Sequence, residues 1–143
     1  MTRTFIVGHD GSPNADDALR VATTLGQADA DAIVIVFVRH DQSTLAASAQ
    51  ATAIHHQALD EIATGVTAAL ESTLAGYPGV GTFEQRHGDP ATELIAAAHE
   101  HNADTILVGH QGHTALVDLV VGSVARSVLA HSPVAVIVTR PAR

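Results

Sequence analysis

An uninterrupted apolar run from Ala32 to Val38 constrains the fold more than any other stretch of the chain. Its residues are mostly β-branched, and no polar side chain interrupts them. A strand that is apolar on both faces must be covered on both faces, and this is the position of a central strand in a parallel sheet. The run therefore predicts a sheet with helices packed on both of its sides.

Four more segments have strand character, and helical patterns separate them. The predicted strands, besides Ala32 to Val38, are Thr4–Gly8, Val80–Arg86, Thr105–Val108 and Val134–Val138, with Val80–Arg86 at an edge. The predicted helices run from Ser12-Pro13 to about Gln27, from roughly 48 to 75, from Asp89-Pro90 onward, and to about His131. Alternating strands and helices with right-handed crossovers predict an α/β fold, a five-stranded, mostly parallel sheet between helices that is Rossmann-like.

The composition narrows the classes of protein. A chain of 143 residues fits one domain, which we take as 1–143, and it contains no cysteine. The formal charge of −8 argues against a nucleic-acid partner. No apolar run reaches the length that spans a membrane, and no leader segment is visible at the N-terminus. We therefore expect a soluble cytoplasmic protein without a membrane or nucleic-acid partner.

Ligands of such sheets bind beyond the carboxyl ends of the strands, and one loop there is rich in glycine. Gly109, Gly112 and Gly122-Ser123 follow the fourth predicted strand. A helix starting at Gly122, with Ser123 as its N-cap, would present the amides of Ser123, Val124 and Ala125 to an anion. The glycines could instead serve a strand end, a turn and a tight helix contact. The spacing alone leaves both readings open.

Five stretches together resemble the universal stress protein family in its ATP-binding branch. The first is Gly109-x2-Gly112-x9-Gly122-Ser123, which is similar to the glycine motif of that branch. The others are VGHDGS at 7–12, IVFVRH at 35–40, and the pair GDPATELIAAAHEHNADTILVGHQGH and GSVARSVLAHSPVAVIVTRP at 88–113 and 122–141. The resemblance covers essentially the whole chain and implies a fold like that of the adenine nucleotide alpha hydrolases.

The resemblance also implies an ATP site, with Mg²⁺ as a candidate companion of the phosphates. It places Asp10 at the ribose or adenine end of the nucleotide with Gly8 beside it. It assigns to the backbone of Val38 a contact with the adenine. The residues it assigns to the phosphates and their loop are Gly109, His110, Gln111, Gly112, His113, Thr114, Ala115, Gly122, Ser123, Val124 and Ala125. At positions 110, 111 and 113 this chain has fewer permanent positive charges than is usual in the family, so we expect moderate affinity.

The family further implies a homodimer in which the last strand, 134–139, pairs with its partner's copy. The physical argument agrees, because an apolar edge strand left bare is a liability. We therefore predict an ATP-binding homodimer that acts in stress response or regulation rather than as a fast enzyme. The alternatives are a slow ATPase, and a structural dimer of the same fold that binds no nucleotide.

No catalytic residue and no metal site are predicted. The adjacent His55 and His56 point to different sides of a helix, which makes a shared metal ion unfavourable. Asp16 and Asp17 are explained by the dipole at a helix start. The chain nevertheless carries 10 histidines, so ATP affinity or dimer stability that changes between about pH 5 and 7 is a separate hypothesis.

Overall fold

The computed structural model describes residues 2–26, 31–40, 49–111 and 121–141. Strands and helices alternate along the chain, as the sequence predicts. The strands are β1 Thr4–Gly8, β2 Ala32–Arg39, β3 Val80–His87, β4 Thr105–Gly109 and β5 Ala135–Thr139. The helices are α1 Pro13–Leu25, α2 Ala49–Leu74, α3 Pro90–Glu100 and α4 Ser123–His131.

The five strands form one sheet of order β3-β2-β1-β4-β5, and every pair is parallel. The predicted α/β class is therefore confirmed, with β3 at one edge and β5 at the other. Chain order reverses between β1 and β4, where Val7 pairs with Leu107. A crevice forms at such a switch point, beyond the carboxyl ends of the strands.

Each face of the sheet carries its own apolar core. Ile6, Val34 and Ile106 pack on one face with residues of α3 and α4. Val7 and Ile35 pack on the other face with residues of α1 and α2. Successive strand residues point to opposite faces, so the apolar run of β2 supplies both cores. This is the physical reason that the run contains no polar residue.

Three helix starts differ in how their first amides are satisfied. The Oγ of Ser12 accepts a hydrogen bond from the Ala15 amide, and a carboxylate oxygen of Asp89 accepts one from the Thr92 amide. Both caps are followed by proline, as predicted. The predicted cap at Ser123 is wrong. Gly122 holds the extended N-cap conformation, with φ −62° and ψ 161°, and Ser123 is already helical.

The amino ends of the strands are tied together by a buried carboxylate. Asp31 is 0% exposed, and its two oxygens accept hydrogen bonds from the backbone and the guanidinium of Arg3. The hydroxyl of Tyr77 donates to the Asp31 carbonyl. Burial, and then the charge of Asp31, raise the pKa of Tyr77 above its ordinary value. This cluster stabilises the amino ends of the strands, on the side of the sheet away from their carboxyl ends.

No helix in the described ranges is both long and apolar enough to cross a membrane.

Candidate functional site

A cleft of about 930 Å³ opens at the carboxyl ends of β1, β2 and β4. Its walls come from the loop after β1, the start of α3, the N-terminus of α4 and two side chains of α2. Most residues of the predicted site line it, namely Gly8, Asp10, Val38, Gly109, His110, Gln111, Gly122, Ser123, Val124 and Ala125. Gly112, His113, Thr114 and Ala115 lie outside the described residues.

The N-terminus of α4 presents backbone amides to this cleft. The first amides of a helix have no partner within the helix, and here they belong to Ser123, Val124 and Ala125. No described side chain makes a capping bond to them, in contrast to the starts of α1 and α3. The Gly122 amide instead donates to the His110 carbonyl, at 2.6 Å, and this bond holds the helix start against the end of β4. Such a helix end favours an anion.

His110 is buried beside that helix start. His110 is 5% exposed, and its Nδ1 has no hydrogen-bond partner in the described part of the chain. A buried polar atom left unpaired costs about 1–3 kcal/mol, so in a native structure it calls for a cause such as a bound ion, water or ligand. The backbone amide of His110 donates to the Thr139 carbonyl, which fixes the residue at the end of β4.

The charges of the cleft are separated. Arg126 is the one arginine or lysine among the described lining residues, and it lies on α4. Asp10 lies in the loop between β1 and α1, and Asp89 is the N-cap of α3. Hydrogen bonds from the Thr92 amide and then its hydroxyl hold the pKa of Asp89 below its ordinary value. The permanent positive charge of the described cleft therefore lies on α4, and its two carboxylates lie in the loop after β1 and at the start of α3.

Sequence reasoning missed Arg126 and Ser127 as lining residues. Both lie on the same helical face as Ser123, at spacings of three and four residues. The signal that could have found them was this spacing, counted from the predicted helix start.

The loop after β1 is held by a set of short polar contacts that sequence reasoning did not foresee. The backbone amide of His9 donates to the Val36 carbonyl. The ring of His9 contacts both the Gly11 amide and the Asp16 carboxylate. Within the same loop Asp10 accepts a hydrogen bond from the Ser12 amide at 2.9 Å. Asp10 is thereby fixed at the cleft.

Gly109 has a packing reason for lacking a side chain. A Cβ at this position would lie 2.7 Å from the backbone oxygen of Asn14, in the first turn of α1. The glycine therefore allows α1 to pack closely against the end of β4. The residue also lines the cleft, so packing and the predicted ligand contact are compatible at this position.

Part of the cleft is lined mainly by apolar side chains. Its walls include Val38, Leu59, Ile62, Pro90 and Leu94. His40 also lines this part, and its Nδ1 donates to the Gly88 carbonyl at 3.1 Å. An apolar wall with a few polar groups at its rim is typical of a site for a small aromatic molecule.

The sheet order and the cleft at its switch point define a doubly wound α/β protein of the kind that binds ligands at this position. A model of the universal stress protein family matches residues 1–140, and the chain belongs to that family. A comparison with curated protein sequences gave no significant match.

Solved structures with the same fold include three whose names describe universal stress proteins. UspA from Lactobacillus plantarum is 23% identical over 96% of this chain and 97% of its own, with a TM-score of 0.79. A universal stress protein in complex with cAMP is 24% identical over 96% and 97%, with a TM-score of 0.67. One from Archaeoglobus fulgidus in complex with dAMP is 18% identical over 98% of each chain, with a TM-score of 0.60.

Proposed function

We propose that this protein binds an adenine nucleotide, ATP in particular, and acts in stress response or regulation through the bound nucleotide. The observation that carries the proposal is the N-terminus of α4, which faces the cleft without a described side-chain cap and lies next to the unpaired Nδ1 of His110. Two relatives with the same fold are complexes with cAMP and dAMP, which supports an adenine nucleotide as the ligand class.

The charge distribution supports one orientation of the proposed nucleotide. The phosphates lie at α4, where backbone amides and Arg126 attract an anion. The base lies against the apolar wall near Val38, and Asp10 lies where it can accept hydrogen bonds from ribose hydroxyls. No cluster of His, Asp or Glu among the described residues could hold a metal ion by itself. Mg²⁺ would therefore be carried by the phosphates.

The test is to denature the purified protein, look for released adenine nucleotide, and titrate ATP, ADP, AMP, cAMP and GTP by calorimetry. We expect ATP to bind with a dissociation constant well below 1 mM, and GTP to bind much more weakly. Absence of any adenine nucleotide, together with no heat at millimolar ATP, would refute the proposal. Release of inorganic phosphate, followed in the same samples for hours, separates binding from slow hydrolysis.

Replacing Arg126 with glutamine is expected to weaken ATP binding by about tenfold and AMP binding by less. The reason is that a charge-assisted hydrogen bond to phosphate contributes about 1.5–3 kcal/mol at full strength, and Arg126 is exposed enough for solvent to screen part of it. Calorimetry in 50 and 300 mM salt measures the change. Arg20→Gln is the control, because Arg20 lies outside the cleft and pairs with Asp17.

We further propose a homodimer formed through residues 134–139. β5 has β4 as its one strand neighbour in the described sheet, and Val136, Ile137 and Val138 remain half-exposed. A partner copy would cover them and pair the open edge. Sedimentation velocity is expected to give twice the chain mass of 14.7 kDa. A monomer mass at tens of micromolar protein would contradict this proposal without touching the nucleotide site.

A further inference from the structure

His9 is a buried histidine with a hydrogen-bond partner at each ring nitrogen. Its side chain is 2% exposed. The Gly11 amide lies 3.1 Å from Nδ1, and an oxygen of the Asp16 carboxylate lies 2.9 Å from Nε2. One ring therefore joins the loop after β1 to the first turns of α1.

These two contacts determine where the ring carries its proton. A backbone amide can only donate, so Nδ1 must accept and carries no hydrogen. A carboxylate can only accept, so the hydrogen lies on Nε2 and is donated to Asp16. The pair of contacts exists only in the neutral ring with its hydrogen on Nε2. When the ring takes up a second proton, Nδ1 becomes a donor and the hydrogen bond from Gly11 is lost.

The bond that would be lost closes the turn on which Asp10 stands. Gly11 has φ +85°, a left-handed conformation that closes the turn tightly. Asp10 lies between His9 and Gly11, which this bond joins, and its carboxylate accepts a hydrogen bond from the Ser12 amide. We propose that neutral His9 is a positioning residue for this loop, so that an adenine nucleotide is bound tightly only while the ring is unprotonated. The inference rests on the proposed function of the cleft.

The surroundings of His9 leave the Gly11 contact as the one that protonation changes. Asp16 of α1 accepts from Nε2 in either state of the ring, and Asp10 is the neighbouring carboxylate in the loop. His110, at the end of β4, lines the same cleft. β2 contributes the Val36 carbonyl, which accepts from the His9 backbone amide. On the side of α2, His9, Gly11 and Asp16 line a small cavity of about 260 Å³ together with uncharged residues of α2, namely Ile62, Gly65, Val66 and Ala69.

Two substitutions separate the contacts of the ring. His9→Asn places an amide oxygen near the position of Nδ1, where it can accept from Gly11, and it does not titrate. His9→Gln reaches toward Asp16 and offers nothing at the position of Nδ1. We expect His9→Asn to bind ATP within about threefold of the wild type at neutral pH, and His9→Gln to bind about fivefold to tenfold more weakly, the range of a typical hydrogen bond.

The experiment combines calorimetry with ATP across pH 5 to 8 and nitrogen-15 NMR of the histidine rings. As the pH falls, the wild type should lose more ATP affinity than His9→Asn, whose loss reflects the titration of ATP itself. The midpoint of this additional loss should equal the midpoint of the change in the His9 ring signals. His56→Gln, an exposed residue of α2 outside the cleft, should follow the wild type. Equal pH profiles for wild type and His9→Asn, or a hydrogen found on Nδ1 in the neutral ring, would overturn the inference.

The two proposals fail in different ways. If the wild type binds no nucleotide, the proposed function fails, while the free protein still tests the role of His9. Hydrogen exchange of the Gly11 amide, corrected for the intrinsic exchange rate, is then the measurement. It should become faster in the wild type as the ring is protonated, and it should not change with pH in His9→Asn. Equal behaviour of the two proteins would overturn the positioning role.

Discussion

Aspartate in place of Ser123 is expected to weaken ATP binding about a hundredfold and to make the fold slightly more stable. Ser123 is the first residue of α4, and its side chain is exposed at the cleft. A carboxylate there would lie close to the bound phosphates, and two like charges 4 Å apart at a protein surface repel by about 4 kcal/mol. The same carboxylate interacts favourably with the helix dipole, which contributes about 0.3–1 kcal/mol to stability. Calorimetry and urea unfolding measure the two effects.

The opposite signs of these effects make the experiment specific for an anion site. Ser123→Asn is the matched control, since it has nearly the same shape as aspartate without the charge. We expect it to bind ATP within a few-fold of the wild type. If the aspartate and asparagine variants bound ATP equally well, the phosphates could not lie at this helix end. If the aspartate variant were less stable than the wild type, a loss of binding would be explained by damage to the fold.

Local signals explain why much of the fold could be predicted. The apolar run at Ala32 to Val38 could only be a strand covered on both faces, and it pairs with β1 on one side and β3 on the other. Ser12-Pro13 and Asp89-Pro90 each combine a capping side chain with a residue that suits the first helical turn. These features depend on neighbours in sequence, so they can be read without the tertiary structure.

The errors lie where one residue or a distant contact decides the outcome. Ser123 has the usual chemistry of a cap, but the Gly122 amide is bonded to the His110 carbonyl, and this contact between distant segments starts the helix one residue earlier. The contact of His9 with Asp16 depends on the angle at which α1 leaves the loop. No pattern in the sequence encodes that angle.

The candidate site shows the same division between local and distant signals. The glycine spacing and the family resemblance pointed to the end of β4 and the start of α4, and the described part of that segment does line the cleft. The burial of His110 and the isolation of its Nδ1 follow from how β4, β5 and α4 pack together. Packing of this kind is a tertiary property, so the sequence could name the residue without indicating its environment.

Replacing Arg3 with methionine is expected to lower the free energy of unfolding by about 3 kcal/mol. The guanidinium donates to one oxygen of the fully buried Asp31 through Nε and Nη2, at 3.1 and 2.8 Å. Removing one partner of a buried ion pair typically costs about 3–5 kcal/mol, because the other charge stays buried. The side chain of Arg3 is 46% exposed, so solvent weakens the pair and the lower end of that range applies. For a chain of this size, the melting temperature should fall by roughly 10 °C.

The cost should come from the buried negative charge of Asp31, which loses the guanidinium but keeps the Arg3 backbone amide, rather than from the loss of a surface arginine. Arg3→Met combined with Asp31→Asn should therefore recover part of the stability, since a neutral amide is less costly to bury than a charge. Arg20→Met removes the 60% exposed partner of Asp17, whose side chain is 14% exposed and not fully buried like Asp31, and should therefore cost less than Arg3→Met. Arg3→Met should still bind ATP like the wild type well below its melting temperature, because Arg3 and Asp31 lie at the amino ends of the strands and the cleft lies at their carboxyl ends. Equal losses for the two single arginine variants would show that burial of Asp31 is not what makes the Arg3 contact important.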